Sequence, residues 1–304
     1  HYDVIYATSP PLFVGVAGLA LSFLRRTPLV FEVRDLWPES AVTLGELTNP
    51  RAIALAERLE RACYRRARKI VLTTQEMKDH LAQRGISRQK MQVVRNGANP
   101  ELFRFDPVAR RRIRRELELN EKFVVIYAGL MGLAQGLPSV LDAVRQMQTA
   151  DDRVHFLFVG DGPIKADLLA QAKQFGLTNI TFLPAQSREQ IPACLSAADA
   201  ALVPLIRQRL VGALPSKMFD AMACERPVLL SAEGEALKIL QQERVGVSVP
   251  PEAPEALCQA ILELEQDPQL AQQYGLRGRP AVIERYSRQA QARRLAALLE
   301  GLDV

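Results

Sequence analysis

The chain has 304 residues, of which 48% are apolar, 24% are charged and 6% are aromatic. This composition excludes a disordered or low-complexity protein, and the length is sufficient for two domains. The longest uncharged stretch, residues 4–24, is interrupted by Ser9-Pro10-Pro11, so its apolar remainder is shorter than the roughly 20 residues that a membrane-spanning helix needs. We therefore predict no transmembrane segment.

The cysteines indicate a reducing compartment, and the first residues predict that the N-terminus is incomplete. Four cysteines lie far apart in the sequence, without a Cys-x-x-Cys pair, at Cys63, Cys194, Cys224 and Cys258. They are typical of buried thiols in a reducing compartment, so we expect a cytoplasmic protein. The chain begins with His1 rather than with an initiator Met or a signal peptide, and we expect it to be incomplete at its N-terminus.

Positive charge is concentrated in the first part of the chain. Residues 1–115 contain 21 Lys and Arg against 11 Asp and Glu, a net charge of +10, whereas the remaining residues contain 18 against 23, a net charge of −5. Such an imbalance indicates an anionic partner, for example nucleic acid, an acidic membrane surface or a phosphate-bearing acceptor. Solvated helix faces would explain it equally well, and the charge pattern alone leaves both interpretations open.

Short β-branched segments alternate with longer helical patterns along the whole chain. This alternation predicts parallel sheets covered by helices on both faces. The predicted strands, in chain order, are Val4–Ala7, Leu29–Val33, Lys69–Thr73, Gln92–Arg95, Phe123–Ala128, Val154–Val159, Thr178–Leu183, Ala200–Val203 and Pro227–Leu230. Between the second and third strands, an amphipathic helix over Ala52–Ala67 carries a stripe of arginines on its polar face.

The strand pattern pauses at Asn96-Gly97-Ala98-Asn99-Pro100 and up to about Asp106, which predicts a domain boundary. A second βα series then begins with a basic helix over Val108–Leu119 and ends near Pro268. The last helix, Ser287–Leu299, has a serine at its predicted N-cap and a stripe of leucines that must pack on another surface.

Ligands of open α/β sheets bind beyond the carboxyl ends of the strands, so the loops after the strands are the candidate sites. Residues 129–136 follow a strand and contain Gly129, Gly132 and Gly136, which allow backbone amides to approach a phosphate closely. A plain tight turn would use the same glycines, and the spacing fits neither the dinucleotide fingerprint nor the Gly-Lys-Ser/Thr loop. We interpret Gly160-Asp161-Gly162-Pro163 as a structural turn.

A second loop combines a helix start with a cation. Pro215 is suited to begin a helix whose free amides, with Ser216 and Lys217 beside them, face a bound anion. One helix terminus stabilises a charge by only about 0.3 to 2 kcal/mol, so a diphosphate needs the lysine as well. Asp220 follows about one turn later, where a carboxylate can accept hydrogen bonds from vicinal sugar hydroxyls or simply favour the positive end of the helix.

These residues carry a resemblance. Residues 214–228 resemble the donor-site segment of retaining glycosyltransferases of family 4, and residues 127–137, 159–163 and 93–97 are similar to further segments of that family in the same order. Residues 7–11 and 31–40 resemble the WbuB-like subgroup, whose members transfer N-acetylated 6-deoxyhexosamines in bacterial surface polysaccharide synthesis. The resemblance covers essentially the whole chain.

The resemblance implies an α/β fold of glycosyltransferase-B architecture, with two Rossmann-like domains of which the N-terminal one is incomplete. The expected domains are residues 1–106 on the acceptor side, residues 107–285 on the donor side, and residues 286–304 as a helix that crosses back to the first domain. By this comparison about 90 to 100 residues are missing before the first one, which agrees with a half-sized domain.

The resemblance also implies a donor site and shows departures from it. The expected donor-binding residues are Gly129, Gly132, Pro184, Ala185, Leu214, Pro215, Ser216, Lys217 and Asp220. Family members often have a Glu where this chain has Gly212, and an Arg and a Lys where it has Leu130 and Gln135. We therefore hypothesise that Lys217, with the amides of Gly132 and Ser216, holds the leaving diphosphate.

The chemistry implied by the family is a retaining transfer that needs neither a metal nor a cofactor, since helix amides and a lysine stabilise the diphosphate. For the acceptor, Asp35 or Glu32, with Arg34 beside them, is the candidate catalytic group after a strand of the first domain. An Asp–Arg pair that only braces the loop beside Trp37 is an equally good interpretation. His80 and His155 are interpreted as structural.

The expected partners follow from the same resemblance. They are a nucleotide-sugar, with uridine as the base by analogy with the family, and a polysaccharide or lipid-diphosphate-linked acceptor at an anionic inner membrane surface. We expect no nucleic acid, because few aromatic residues interrupt the arginine stripe. Two alternatives stay open: a fragment that binds a nucleotide-sugar without turning it over, and a non-hydrolysing sugar-nucleotide epimerase.

Overall fold

The computed structural model describes residues 2–207 and 210–302, which form two compact units. The described residues of the first unit are 2–96, 210–214 and 289–302, and those of the second are 97–207 and 215–288. The first break thus falls after Asn96, earlier than the predicted boundary at 106. In addition, a short segment that the sequence assigned to the second domain belongs to the first unit. The predicted limits 1–106, 107–285 and 286–304 stay predictions about the domains.

The first unit contains a four-stranded parallel sheet in the order β1-β2-β3-β4. Its strands are β1 (Ile5–Ser9), β2 (Leu29–Val33), β3 (Lys69–Leu72) and β4 (Met91–Val93). The helices between them are α1 (Leu12–Arg25), α2 (Glu39–Thr43), α3 (Pro50–Arg66) and α4 (Gln75–Gln83), and Arg88–Lys90 form a 3-10 turn. Asn49 caps α3 through its side chain and Thr74 caps α4, as polar residues at these positions commonly do.

The second unit contains a six-stranded parallel sheet in the order β10-β9-β8-β5-β6-β7. Its strands are β5 (Phe123–Ala128), β6 (Val154–Val159), β7 (Ile180–Leu183), β8 (Ala200–Pro204), β9 (Val228–Ser231) and β10 (Gly246–Val249). Its helices are α5 (Pro107–Glu116), α6 (Leu137–Ala150), α7 (Lys165–Gln174), α8 (Ile191–Ala197), α9 (Ser216–Ala223), α10 (Gly234–Glu243), α11 (Pro254–Gln266) and α12 (Pro268–Ala281). A 3-10 turn spans Leu133–Gln135, a π turn spans Val282–Tyr286, and the last helix of the chain is α13 (Arg288–Glu300).

Both faces of each sheet are buried, as the alternation of strands and helices predicts. In the first unit, Phe31 packs with residues of α1 and α3 on one face, whereas Val30 and Val71 pack with the leucines of α13 on the other. In the second unit, Val125 and Tyr127 belong to the core formed with α6 and α11. Their neighbours in the strand face the opposite side, where α8 lies. The burial of apolar surface contributes about 25 cal/mol per Å² and is the main stabilising contribution of such cores.

The predicted α/β class with two parallel sheets is confirmed. The predicted spans of β2, β5 and β6 agree with the structure, and the other predicted strands shift by one or two residues at their ends. The strand β10 was not predicted, because it has only four residues, begins with Gly246, contains Ser248 and is followed by Pro250. In the described ranges 2–207 and 210–302, no helix combines the length and the apolar character required to cross a bilayer.

Candidate functional site

The candidate site lies at the carboxyl end of the second sheet. The strand order changes direction at β5, because β6 and β7 lie on one side of it and β8 to β10 on the other. The loops after β5 and β8 therefore leave the sheet in opposite directions and open a crevice between them, which is the place where open α/β sheets bind ligands. The glycine-rich loop of residues 129–136 and the start of α9 both come from these strands.

The loops after β5 and β6 are locked together through their backbones. The amide of Met131 donates to the Asp161 carbonyl at 2.8 Å, and that of Gly129 donates to the Val159 carbonyl at 2.9 Å. A Cβ atom added to Gly160 would lie 2.0 Å from the Gly129 carbonyl oxygen, and Gly160 has a φ of +149°. Only glycine permits this approach. The turn at residues 160–163 thus holds the glycine-rich loop of residues 129–136 in place.

The remainder of the loop after β5 brings backbone amides to the same edge. Gly132 precedes the 3-10 turn Leu133–Gln135, and α6 begins directly after Gly136, which has a φ of +59°. The first amides of such turns have no acceptor within the turn. Gly132 is buried, and the nearest atoms to a side chain at this position would be those of Leu130 at 3.6 Å. Its proposed role through the backbone amide stays a prediction.

The helix α9 begins where the sequence places it. Pro215 is its N-cap residue, with an extended backbone and no side-chain capping bond, and Ser216 is the first helical residue. The amides at the start of this helix lack intrahelical partners and form the positive end of its dipole. Ser216 is exposed, whereas Leu214 is buried and belongs to the described part of the first unit.

Lys217 is the central side chain of the site. Its Nζ donates to the Tyr127 hydroxyl at 2.8 Å and to Oε1 of Gln135 at 3.0 Å, and lies 4.0 Å from the centroid of the Tyr127 ring. To reach them it passes Gly129: a Cβ there would be 3.2 Å from both Cε and Nζ of the lysine. A side chain at Gly129 would therefore press on the end of the Lys217 side chain, next to its contact with the Tyr127 hydroxyl.

The Lys217 ammonium has no acidic partner in the described part of the chain, where both of its hydrogen-bond acceptors are neutral. Burial lowers the pKa of Lys217 to about 7. The cause is the loss of water around the charged form, which nothing negative compensates. A partly buried cation with neutral partners is a candidate binding site for an anion, and the diphosphate-binding role of Lys217 stays a prediction.

Asp220 lies one helical turn after Lys217 on α9. One of its carboxylate oxygens, Oδ1, is buried and has no hydrogen-bond partner among the described residues. Burial raises the pKa of Asp220 to about 6, although Arg188 and Arg288 act in the opposite direction. Asp220 and Lys217 both line an internal cavity of about 20 Å³. An unsatisfied carboxylate oxygen is costly, and a hydroxyl group would complete it.

The predicted base-reading loop follows β7. Pro184 and Ala185 are exposed, and the Gln186 side chain donates to the Pro184 carbonyl at 3.2 Å. The amide of Gly160 donates to the Leu183 carbonyl at 3.3 Å, so this loop begins beside the glycine turn after β6. The structure therefore places the loop at the same edge of the sheet as Gly129 and Lys217.

Gly212 occupies the position at which the related family often has a glutamate. Its φ is +72°, and an added Cβ would lie 2.4 Å from Cγ of Met77 and 2.6 Å from Oγ1 of Thr74, all within the first unit. No side chain fits there without displacement of α4 or its cap. In this structure the space that a glutamate side chain would enter from position 212 is thus occupied by the side chains of Met77 and Thr74.

The candidate catalytic residues of the first unit are engaged in local interactions. Glu32 forms a hydrogen bond with the Tyr6 hydroxyl, whose pKa burial and this carboxylate raise. The Asp35 carboxylate accepts hydrogen bonds from the Ser40 side chain and the Leu36 amide, and burial raises its pKa.

Arg34 is exposed. Among the described residues it forms no ion pair with Asp35, in contrast to the bracing pair that the sequence suggested as an alternative. The catalytic role of Asp35, Glu32 and Arg34 stays a prediction.

The two histidines have ordinary partners. His80 lies 2.9 Å from Glu39, and His155 lies 2.9 Å from the Thr181 hydroxyl. Burial lowers the pKa of His155 to about 4, so this side chain is neutral at physiological pH. Within residues 2–207 and 210–302, no three His, Cys, Asp or Glu side chains gather in a way that would hold a metal ion.

Two residues of the site were not predicted in their observed roles. From the sequence, Tyr127 was placed in a strand and Gln135 at the position of a missing cation, both within the family-like segment 127–137, and neither side chain was given a role beside Lys217. The signal for Tyr127 was available: a tyrosine at the carboxyl end of a central strand needs a partner for its hydroxyl, and loops that bind ligands supply one.

The comparison with known proteins identifies the family. The sequence profile of "Glycosyl transferases group 1" matches residues 109–280, and that of "Glycosyl transferase 4-like domain" matches residues 1–97. The chain belongs to the group 1 glycosyl transferases. The first match covers the second sheet with the whole candidate site, and the second covers the first sheet.

Similar proteins have related names and folds. The putative colanic acid biosynthesis glycosyl transferase WcaI of Escherichia coli is 28% identical over 269 residues, 85% of this chain and 65% of its own length. The alpha-D-kanosaminyltransferase of Streptomyces kanamyceticus is 22% identical, over 91% of this chain and 72% of its own length. This chain thus spans less than two thirds of the Escherichia coli relative.

The structure of Anabaena HepE in complex with UDP-glucose superimposes with a TM-score of 0.85 at 21% identity, over 99% of this chain and 79% of that one. At this level of identity the likeness establishes the fold alone. The predicted glycosyltransferase-B architecture is thereby confirmed.

Proposed function

We propose that the protein transfers a sugar from a nucleotide-diphosphate donor to a carbohydrate acceptor. The observation that carries this proposal is the Lys217 ammonium, which is partly buried without a negative partner beside the glycine loop and at the start of α9. Membership of the group 1 glycosyl transferases supports it, as do the names of the relatives.

The proposed chemistry breaks the bond between the anomeric carbon of the sugar and the diphosphate. Negative charge then develops on the leaving diphosphate, and groups fixed in advance lower the barrier when they bind this charge better than the ground state. Lys217 supplies a positive charge in its protonated form, and the amides at Gly132 and Ser216 supply oriented dipoles. In this proposal the same three groups replace the divalent cation that other transferases use, and no cofactor takes part.

Asp220 is the proposed ligand of the ribose hydroxyls. At neutral pH its carboxylate is mostly ionised, since its pKa is about 6, and its buried Oδ1 atom has an unused capacity to accept hydrogen bonds. The exposed loop with Pro184 and Ala185 is the proposed contact of the base. We propose uridine, since the HepE structure was obtained with UDP-glucose. Leu214 and Pro215 set the entry of α9 into the site.

The finer properties of the reaction rest on the resemblance to family 4. We propose that the transfer retains the anomeric configuration, that the sugar is an N-acetylated 6-deoxyhexosamine as in the WbuB-like subgroup, and that the acceptor is a polysaccharide or a lipid-linked saccharide. The relative named for colanic acid biosynthesis supports a polysaccharide acceptor. Asp35, Glu32 and Arg34 are the proposed acceptor-side residues.

A peripheral contact with an anionic membrane on the cytoplasmic side is proposed for the first unit. Leu12 at the start of α1 is buried, but Phe13, Phe23 and Leu24 are 72%, 65% and 80% exposed. Arg25 and Arg26 follow them and are exposed. This combination fits anionic lipid headgroups. Sedimentation with anionic but not with neutral vesicles is expected, and equal sedimentation with both would contradict it.

The two alternative functions receive less support. An epimerase needs acid and base groups around the donor sugar, and the position nearest to such a role is Gly212, where no side chain fits. A fragment that only binds the nucleotide-sugar would retain the Lys217 site but show no transfer. The relatives are named as transferases, which favours turnover.

Calorimetric titration with UDP-glucose tests the proposal. The Lys217→Ala variant is expected to raise the dissociation constant about 10- to 100-fold, because hydrogen bonds to charged groups contribute about 1.5 to 3 kcal/mol. The matched control is Lys173→Ala, which removes an exposed lysine of α7 in the same unit and is expected to leave the affinity unchanged. Equal affinity of Lys217→Ala and the wild type would refute the proposed diphosphate site.

A transfer assay with a panel of nucleotide-sugars separates turnover from binding alone. Binding without transfer or hydrolysis for every donor and acceptor offered would favour the non-catalytic alternative. Transfer to a saccharide acceptor would exclude it.

A further inference from the structure

Two neutral side chains of the second unit hold the Lys217 ammonium. The Tyr127 hydroxyl accepts one hydrogen bond at 2.8 Å, and Oε1 of Gln135 accepts another at 3.0 Å. An ammonium group has three N–H donors. In the described part of the chain the third N–H of Lys217 has no acceptor, so it is available to an oxygen of a ligand.

The Tyr127 hydroxyl has a role that the core does not require. Its ring is fully buried and packs against Phe158, with the ring centroids 5.5 Å apart. A phenylalanine would fill the same space. The hydroxyl in addition donates to the carbonyl of Leu130, in the glycine loop. Since its proton is committed to that carbonyl, the oxygen faces Lys217 with lone pairs only, and it connects the loop to the ammonium.

Gln135 determines the charge of the site. A carboxylate at this position would neutralise Lys217 as an internal ion pair, and the pair would have little attraction for a diphosphate. A second cation would lie about 3 Å from the first without a ligand to separate them, at a cost in stability. The amide oxygen satisfies one N–H of Lys217 and leaves its positive charge uncompensated.

We propose that Tyr127 and Gln135 are positioning residues, which hold the Lys217 ammonium charged and oriented for the leaving diphosphate of a nucleotide-sugar. This inference rests on the proposed function. Neither residue is catalytic in itself, because each acts through Lys217. Gly129 is part of the arrangement, since a Cβ there would lie 3.2 Å from Nζ of Lys217 and 3.9 Å from the Tyr127 hydroxyl and would crowd both groups.

With these residues around Lys217, the affinity for the nucleotide-sugar is expected to decrease both at alkaline and at acidic pH. The titratable groups that face or share the cavity of Lys217 are Tyr127 on β5 and Asp220 on α9, and the remaining lining from α8, β5 and β8 is apolar. Burial raises the pKa of Tyr127, which stays neutral. The diphosphate needs the ammonium, so affinity decreases as the pH rises through about 7, the pKa of Lys217. It also decreases below about 6, where Asp220 becomes protonated.

The Tyr127→Phe variant tests the hydroxyl alone. Loss of an acceptor disfavours the charged amine, so the alkaline limb of UDP-glucose affinity is expected to move to lower pH, with a dissociation constant about tenfold higher near neutral pH. The acidic limb, which belongs to Asp220, is expected to stay in place. Calorimetry between about pH 5.5 and 8.5 measures both limbs, because the diphosphate ester of UDP-glucose keeps its charge in this range.

The control for this variant is Tyr64→Phe. Tyr64 is also buried, and its hydroxyl donates to Glu60 at 2.8 Å, but it lies in the first unit. A general loss of stability from the removal of a buried hydroxyl would affect both variants alike. Donor affinity and both pH limbs are expected to stay at their wild-type values in Tyr64→Phe.

The Gln135→Glu variant tests the charge with almost no change in shape. It is expected to weaken UDP-glucose binding more strongly than Tyr127→Phe, while it moves the alkaline limb to higher pH, because a carboxylate beside Lys217 favours the ammonium. A general defect in folding would weaken binding but would not move the alkaline limb to higher pH, so the combination identifies the effect of the added charge. Gln272→Glu, on an exposed part of α12, is the control and is expected to have no effect.

The outcomes separate this inference from the proposed function. If the wild type binds UDP-glucose, Lys217→Ala does not, and both Tyr127→Phe and Gln135→Glu retain wild-type affinity and pH limbs, the positioning role is wrong and the diphosphate site stands. If the wild type shows no affinity for UDP-glucose or other nucleotide-sugars, the proposed function fails first. Should Tyr127→Phe not fold, as judged by its thermal unfolding, Gln135→Glu in the partly exposed loop decides alone.

Discussion

The candidate residues of the two units differ in the partners of their charged side chains. In the first unit, Glu32 is bonded to Tyr6, Asp35 to Ser40 and the Leu36 amide, and the buried Glu60 to Arg84 and Tyr64. In the second unit, Lys217 has only neutral partners and Asp220 has a buried oxygen with none among the described residues.

Burial of a charge without compensation destabilises a fold, so the second arrangement is expected only where a ligand completes it. The difference indicates which sheet end binds a charged ligand by itself. It also shows that candidate carboxylates need to be judged by their partners and not by their position after a strand.

The largest expected effect on stability comes from the loops after β5 and β6, which hold the surroundings of Lys217 in place. Gly160→Ala is expected to reduce the free energy of unfolding by about 2 to 5 kcal/mol, because its Cβ would collide with the Gly129 carbonyl and its φ is unfavourable for alanine. Urea unfolding measures this change.

The control for this prediction is Gly176→Ala. Gly176 has a φ of +62° but no atom within 4 Å of an added Cβ, so the expected cost is only about 1 kcal/mol of backbone strain. A similar loss in both variants would mean that the close approach of the two loops does not constrain the site.

Asp220→Asn is expected to separate stability from binding. The folded pKa of Asp220, about 6, is above its ordinary value of 3.8, so the stability of the wild type decreases as the pH rises through this interval. Asparagine removes that loss. The variant is expected to be more stable than the wild type by about 1 to 2 kcal/mol at pH 7 and above, with no gain at or below about pH 3.8.

The same variant is expected to bind UDP-glucose more weakly. Denaturation at several pH values and calorimetry measure the two effects. A less stable Asp220→Asn at neutral pH would contradict the interpretation of Asp220 as an uncompensated charge.

The smallest expected effect concerns the first unit. Asp35→Ala removes the acceptor of the Ser40 and Leu36 hydrogen bonds and is expected to cost about 1 kcal/mol of the free energy of unfolding. Donor affinity is expected to be unchanged, and Asp3→Ala, an exposed position of the same unit, is the control. A loss of transfer rate with wild-type stability would instead make Asp35 a participant in the reaction.

The comparison also shows what the sequence allows one to predict. Alternation of strands and helices was sufficient for the two parallel sheets, and the span of β5 agrees with the structure because its apolar run is bounded by Lys122 and Gly129. The start of α9 beside Lys217 was predicted from a local pattern of a proline followed by a serine and a lysine, whereas the role of Lys217 as the main cation stays a prediction.

The partners of these side chains were not predictable in the same way. Tyr127 and Lys217 are 90 residues apart in the chain, and their contact depends on the strand order that places β8 beside β5. The packing of Gly212 on Met77 and Thr74 depends likewise on a segment that joins the first unit. Hydrogen-bond partners are properties of the tertiary structure, whereas helix starts and strand periods are local.

Gly129 has a consequence beyond its loop. Helix α9 and the Tyr127 side chain lie on opposite faces of the second sheet. The hydrogen bond from Lys217 to the Tyr127 hydroxyl therefore joins the two helical layers of the unit at the end of β5, beside Gly129. A methyl group at Gly129 would lie 3.2 Å from both Cε and Nζ of Lys217, so the lysine would have to shift to keep this link between the layers.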